Sequence, residues 1–233
     1  MILSHLYVKM FRGLRAILRP TGVLGWLEKR KSRGARWLRS LFAIYDLDDL
    51  IKLNLPWWTF DAIDAVDDIL AAHPEARVFE WGSGASTLWL AARAKEVISI
   101  EHDMDWAREV QLRLDKSPNG SKVSLSHVGS QTEGNISSNK RGFEGQFFDD
   151  YVAAIGNTQG QFDLIVIDGR AREACLNIAI ARLAPGGRIL LDDFKRKRYR
   201  DAVAKSELSV ETKDGLAVCL PLPDSTALLR NAR

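Results

Sequence analysis

The chain predicts an α/β fold: a doubly wound, mostly parallel sheet ending in an antiparallel C-terminal hairpin, with a helical extension at the N-terminus. Three observations carry this. From residue 77 onward, short apolar strand patterns alternate with helix patterns. The first of these strands, ending at Glu80, runs into a glycine turn, Gly82-Ser83-Gly84, that opens directly onto an apolar helix pattern. The last part of the chain breaks instead into strand-like runs around Lys213-Asp214-Gly215.

Taken in order, the first forty residues differ from the rest. Ten basic residues, Lys9, Arg12, Arg15, Arg19, Lys29, Arg30, Lys31, Arg33, Arg36 and Arg39, face the single acid Glu28. Leu14, Ile17, Trp26, Trp37 and Phe42 interleave with them, and Pro20 and Gly22 divide the segment into two helical pieces. Two readings stand. One is an extension packed on the domain with solvated arginines. The other is a basic amphipathic surface, residues 9–42, that touches anionic membrane. The extension is expected over residues 1–55 and the main domain over 56–233. Thr59, after Trp57-Trp58, is placed to N-cap a helix to about Ala72, with Asp61 and Asp64 in its first turns. Strands are then expected near 77–80, 96–101, 122–127, 163–168 and 187–192. Helices are expected near 85–94, 105–115, 148–156, 171–184 and 196–206. Runs 208–211, 216–219 and 226–229 read as the terminal strands, with a turn at 213–215.

Composition bounds the function. A net charge of +3 is too small to argue for nucleic acid. Cys175 and Cys219 read as buried, reduced thiols of a cytoplasmic protein. Met1 to Met10 is broken by Ser4, His5 and Lys9, so no signal peptide is expected, and no run reaches the ~20 apolar residues that span a bilayer. Two cysteines and four scattered histidines make no zinc spacing, and no Gly-x-Ser-x-Gly elbow occurs.

The turn at Gly82 carries the chemistry. A bare backbone lets a flat cofactor approach closely. Glu101 ends the next strand 21 positions after Glu80, where a carboxylate accepts hydrogen bonds from two ribose hydroxyls. The dinucleotide fingerprint wants a third glycine where Thr87 stands. Glu80 would also repel a pyrophosphate, but it suits a cofactor carrying an ammonium or sulfonium.

Glu80-Trp-Gly82-Ser-Gly84-Ala-Ser86 resembles the first motif of the class I S-adenosylmethionine-dependent methyltransferases, an acid followed by G-x-G-x-G, with Ser86 replacing the last small residue. Phe162 to Gly169, carrying Asp168, looks like the family's fourth strand. Leu183-Ala-Pro-Gly-Gly onward to Asp192-Asp193 looks like its turn and fifth strand. The likeness runs from about Val78 to Asp193 and is closest to the O-methyltransferase-like subgroup. It implies a Rossmann-like, seven-stranded sheet, S-adenosyl-L-methionine as cofactor, and methyl transfer to a small-molecule acceptor, with a hydroxyl oxygen expected. The implied cofactor residues are Glu80, Gly82, Ser83, Gly84, Ser86, Glu101, His102 against the adenine, and Trp58 over the methionine end. Asp168 is the implied catalytic residue, as a base. Metal-dependent relatives place Asp and then Asp-Asn at positions matching Asp168, Asp192 and Asp193, so these three are also candidate ligands for a divalent cation such as Mg²⁺. Here Asp193 stands in place of the asparagine.

The Asp/Asn-Pro-Pro-aromatic motif of nucleic-acid amino-methylating enzymes is replaced by Asp168-Gly-Arg-Ala171, and no Pro-Cys nucleophile occurs, so no nucleic-acid partner is expected. The long link 131–161, with a polar run from Gly134 through Asn139 to Gly142, is expected to form a substrate lid. Arg170, Arg172, Lys195, Arg196 and Arg198 follow the fourth and fifth strands, either to bind an acidic acceptor or as solvated helix faces. Two rival functions remain: an NAD-dependent oxidoreductase, and a non-catalytic, membrane-associated binding module on the same fold.

Overall fold

The structure, a computed structural model, describes residues 2–138 and 140–232; Met1, Asn139 and Arg233 lie outside the described residues. Strands β1 (Arg77–Trp81), β2 (Glu96–Glu101), β3 (Val123–His127), β4 (Phe162–Ile167) and β5 (Leu183–Leu191) are parallel. They are followed by β6 (Leu208–Gly215) and β7 (Asp224–Asn231), and β7 runs antiparallel to both β5 and β6. The spatial order is β3-β2-β1-β4-β5-β7-β6. Chain order reverses between β1 and β4, so the crevice that binds ligands in open α/β sheets lies at the carboxyl ends of these two strands.

Both faces of the central strands β1 and β4 are covered, which is why these read as apolar runs, whereas the edge strands β3 and β6 stay largely exposed and mix in polar residues. Val78, Leu164, Val166 and Leu190 point into one core cluster. Phe79, Trp81, Ile165, Ile167, Ile189 and Leu191 point into the other. Helix α5 (Phe60–Ala72) starts as expected, with the Thr59 side chain accepting from the Ala62 N–H. Cys175 and Cys219 are buried and free. No helix among the described residues is long and apolar enough to cross a membrane.

The extension forms α1 (Ile2–Leu18), α2 (Val23–Glu28), α3 (Arg33–Leu41) and α4 (Leu47–Leu53). Ala43, Ile44, Leu47, Leu50 and Leu55 belong to the same buried cluster as α5 and the sheet, and Tyr7, Val8, Phe11 and Trp37 pack against it. Several of its arginines are internal struts. Arg39 is buried and pairs with Asp49 at 2.6 Å and Glu28 at 2.8 Å. Arg15 pairs with Asp46 and Asp49, and Arg33 with Asp61 and Asp64.

Five expected elements come out differently. The run 213–215 is no turn: β6 continues to Gly215, which pairs with Asp224. The run 216–219 is no strand, because its backbone bonds elsewhere: Leu216 O accepts from Phe60 N, and Val218 N donates to Trp58 O. Residues 185–186, expected as a turn between a helix ending at 184 and a strand starting at 187, lie within β5 at a bulge, where the register jumps from Phe162↔Leu183 to Leu164↔Arg188. Gly186, at φ 80°, supplies the left-handed residue that the bulge requires. The helices expected near 148–156 and 171–184 stop sooner, as α8 (Asp149–Ala153) and α9 (Arg172–Ala179), each continued by one 3₁₀ turn.

Candidate active site at the carboxyl ends of the strands

The turn between β1 and α6 (Ala85–Ala91) is built around two glycines with different jobs. Gly82 has φ 98°, and a Cβ there would stand 2.7 Å from the Gly169 N of the turn after β4. The two loops therefore meet backbone to backbone, which closes the floor between β1 and β4. Gly84 is the open one: a Cβ there meets nothing nearer than Trp106, at 3.9 Å. Its face is the bare patch that a cofactor can lie on.

Two carboxylates fix this turn. Glu101 is 2 % exposed at the end of β2. Its Oε2 accepts from the Ser83 N–H at 2.9 Å and from Ser83 Oγ at 3.1 Å. Its Oε1 accepts from the N–H groups of His102 and Asp103 at 2.8 and 2.9 Å, and His102 Nδ1 lies 2.6 Å away. Burial raises its pKa, but the imidazole and these N–H donors outweigh burial and hold it below the usual carboxylate range. Glu101 is thus anionic at the edge of the crevice.

Glu80 is placed differently from its sequence reading. It is fully buried, and its carboxylate accepts from Ser86 Oγ at 2.5 Å, Thr87 Oγ1 at 2.6 Å and Ser99 Oγ at 2.7 Å. Burial pushes its pKa up to about 7, against the pull of the three hydroxyls. Glu80 anchors the first turn of α6 to β2 from behind the glycine turn, and does not face the crevice. Thr87, which sequence reasoning used only as evidence against a dinucleotide, joins the two halves. Its hydroxyl accepts the Gly84 N–H at 2.9 Å while donating to Glu80. Replacing Thr87 with Val keeps the shape and removes both bonds. We expect a loss of roughly 2 kcal/mol in stability, read by urea unfolding.

Other side chains complete the rim. Trp106, on α7 (Met104–Leu114), donates from Nε1 to Ser83 O at 2.8 Å. His102 packs in a ring cluster with Phe143, Phe148 and Tyr151, at centroid distances of 5.5, 6.0 and 6.1 Å. Phe143 belongs to the expected lid. That loop is tied down by Gln131–Phe147 backbone bonds and by the Asp149 carboxylate, which accepts from Asn135 and Ile136. The Arg170 guanidinium stacks 5.4 Å from Phe143, and its buried Nε has no partner among the described residues.

Asp168 follows β4 and keeps 21 % side-chain exposure, toward the crevice. Its Oδ2 accepts from Trp58 Nε1 at 3.3 Å. Trp58 itself is 1 % exposed and set edge-on to Trp89, so it meets the site through Nε1 alone. Burial pushes the Asp168 pKa up to about 6, against the pull of the Arg172 charge.

Arg172 stands among the three acids expected to hold a divalent cation. Ala171 takes a left-handed φ of 47° and sends Arg172 inward, 8 % exposed, among the three acids. Its Nη2 donates to Asp168 O and Oδ1, both at 2.7 Å, and its Nε donates to Gly169 O at 3.1 Å. Its Nη1 donates to Asp192 O at 2.8 Å and lies 3.3 Å from Asp193 Oδ2. A guanidinium has five N–H donors; four make hydrogen bonds here, and Nη1 also faces the Asp193 carboxylate as an ion pair. Asp193 also pairs with Arg196 at 2.8 Å, and Asp192 accepts from Thr226 Oγ1 at 2.8 Å. The three carboxylates already share a fixed cation, and among the described residues no group of three His, Cys, Asp or Glu is arranged to hold a metal. Dialysis against Mn²⁺ should show no stoichiometric uptake. Uptake would mean that the guanidinium is displaced.

The residues fit the cofactor that the glycine motif implies. Glu101 would hold a ribose diol, the open face of Gly84 would lie under the methionine portion, and His102 with Phe143 would flank the base.

Residues 79–194 match the family described as Methyltransferase domain. No curated protein sequence is significantly similar to this chain. Among solved structures, a candidate O-methyltransferase from Klebsiella pneumoniae superposes over 99% of this chain and 100% of its own, with TM-score 0.59 and 15% identity. The O-methyltransferase TomG of Streptomyces achromogenes, involved in tomaymycin synthesis and solved with S-adenosylmethionine, covers 86% of this chain and 90% of its own, with TM-score 0.58 and 14% identity. An rRNA methylase from Streptococcus thermophilus covers 73% and 96%, with TM-score 0.54 and 16% identity. At these identities the three share the fold. Together with the glycine turn set between β1 and α6, the matched segment assigns the protein: the chain belongs to the class I S-adenosylmethionine-dependent methyltransferase family.

Proposed function

We propose that the protein is a cytoplasmic enzyme that transfers a methyl group to the hydroxyl oxygen of a small molecule. The observation that carries this is Asp168: a partly exposed carboxylate beside the Gly82 floor, with a pKa pushed up to about 6. When bound, the cofactor supplies an electrophilic methyl on a sulfonium, so the protein's remaining task is to align an oxygen and remove its proton. Asp168 accepts that proton. Trp58 and Arg172 hold its two oxygens, so the free carboxylate edge points in one direction. Arg172 keeps the neighbouring Asp192 and Asp193 charges from repelling the acceptor oxygen. The floor is closed and the loop 131–147 covers one side, which favours a compact acceptor over a duplex.

Isothermal titration with S-adenosylhomocysteine and with NAD tests the cofactor assignment, and a screen of hydroxylated small molecules for methyl uptake tests the acceptor class. Binding of the homocysteine product and not of NAD supports the proposal. Tight NAD binding, or methylation of RNA alone, contradicts it.

A further inference from the structure

We infer that the first two helices form a docking surface for an anionic lipid bilayer. Met10, Leu14 and Ile17 stand at i, i+4 and i+7 on α1 and so share one stripe, yet they are 50%, 39% and 66% exposed. The adjoining stripe, Tyr7, Val8 and Phe11, is the one packed on the core. The helix is therefore apolar over a wider arc than the protein covers. Helix α2 repeats the pattern: Leu24 and Leu27 are buried, while Val23 and Trp26 stay 40% and 55% exposed. Tryptophan is a residue that settles at the membrane–water boundary.

Charges within and just after these two helices are left free by the fold. Arg15 and Arg39 are held by Asp46 and Asp49 within the extension, and Arg33 by Asp61 and Asp64 of the main domain. Lys9, Arg19, Lys29, Arg30 and Lys31 are exposed and enter no ion pair among the described residues. The Arg30 guanidinium lies 4.5 Å over the exposed Trp26 ring. Aliphatic side chains flanked by unpaired cations match an acyl layer under anionic headgroups. A nucleic acid would leave Met10, Leu14 and Ile17 unused, and a second copy would set five unpaired cations against their own kind.

The test is co-sedimentation of the full chain at low salt with vesicles of phosphatidylcholine alone, or with an equal part of phosphatidylglycerol. We expect binding to the mixed vesicles only, and release at high salt. Arg30→Glu with Lys31→Glu should weaken it by on the order of tenfold or more, and Ile17→Asp with Trp26→Asp should abolish it. These side chains are exposed, so the fold survives, and titration with S-adenosylhomocysteine confirms this independently of lipid. No sedimentation at low salt, unaltered binding by either variant pair, or burial of the same face in a dimer would overturn the inference.

Discussion

Gly82→Ala is expected to destroy cofactor binding and cost about 3 kcal/mol or more of stability. Two effects add. The residue sits at φ 98°, which a side chain resists, and its new methyl would press on Gly169 N at 2.7 Å and Gly169 Cα at 2.8 Å. Those are backbone atoms of the turn after β4, so neither can swing aside. The floor must open, and Asp168 moves with it. Gly84→Val is the contrast. Its backbone lies in a region any residue adopts, and its Cβ meets only Trp106. That variant should fold with nearly native stability and still fail to bind S-adenosylhomocysteine, because the bulk occupies the open face. Calorimetric unfolding and titration, run on both, separate the two roles. If Gly84→Val binds normally, the bare patch is not where the cofactor lies.

Asp168→Asn should lower kcat by roughly 10²–10⁴, the usual worth of a positioned base, while leaving the affinity for S-adenosylhomocysteine nearly unchanged. The pH profile is the sharper readout. The base is the carboxylate, so wild-type kcat should rise through pH about 6 and then level, following the raised Asp168 pKa. The asparagine variant should be flat there. The sign for stability is the opposite. A carboxyl whose pKa is raised by folding stabilises the fold while it is protonated, and that contribution is lost as pH rises through about 6. The neutral amide is therefore expected to fold well at neutral pH, and a lost rate cannot be ascribed to unfolding. A variant with unchanged kcat and an unchanged profile would remove Asp168 from the chemistry.

Local signals served the sequence reading well, and long-range partners defeated it. The central strands were legible because burial on both faces writes them as apolar runs, the edge strand β3 by its alternation of Val123 and Leu125 with polar residues, and the glycine turn because only glycine suits position 82. Thr59 announced its helix by spacing alone. The terminal hairpin is present, but its turn was expected too early because Gly215 looks like a turn residue. What placed Gly215 in a strand was its pairing with Asp224 of β7, and what kept 216–219 out of one was Leu216 and Val218 bonding back to Phe60 and Trp58, more than 150 positions earlier. Glu80 was read as facing the cofactor, since nothing in the spacing of Ser86, Thr87 and Ser99 shows that all three hydroxyls turn onto it. The surroundings of the three candidate metal ligands were hidden for a similar reason. The acids Asp168, Asp192 and Asp193 are visible in the sequence, but the inward course of Arg172 depends on the left-handed Ala171, a conformation no alanine advertises. Trp106 and Phe143 reach the rim through tertiary packing and carried no signal.

The measurement closest to the central claim is the affinity for S-adenosylhomocysteine of the wild type and of Glu101→Gln, with circular dichroism confirming that both are folded. The account predicts one site per chain in the wild type and a weakening by roughly 10–100-fold in the amide, since a charged acceptor of several hydrogen bonds is lost. Equal affinity in the two proteins would contradict it.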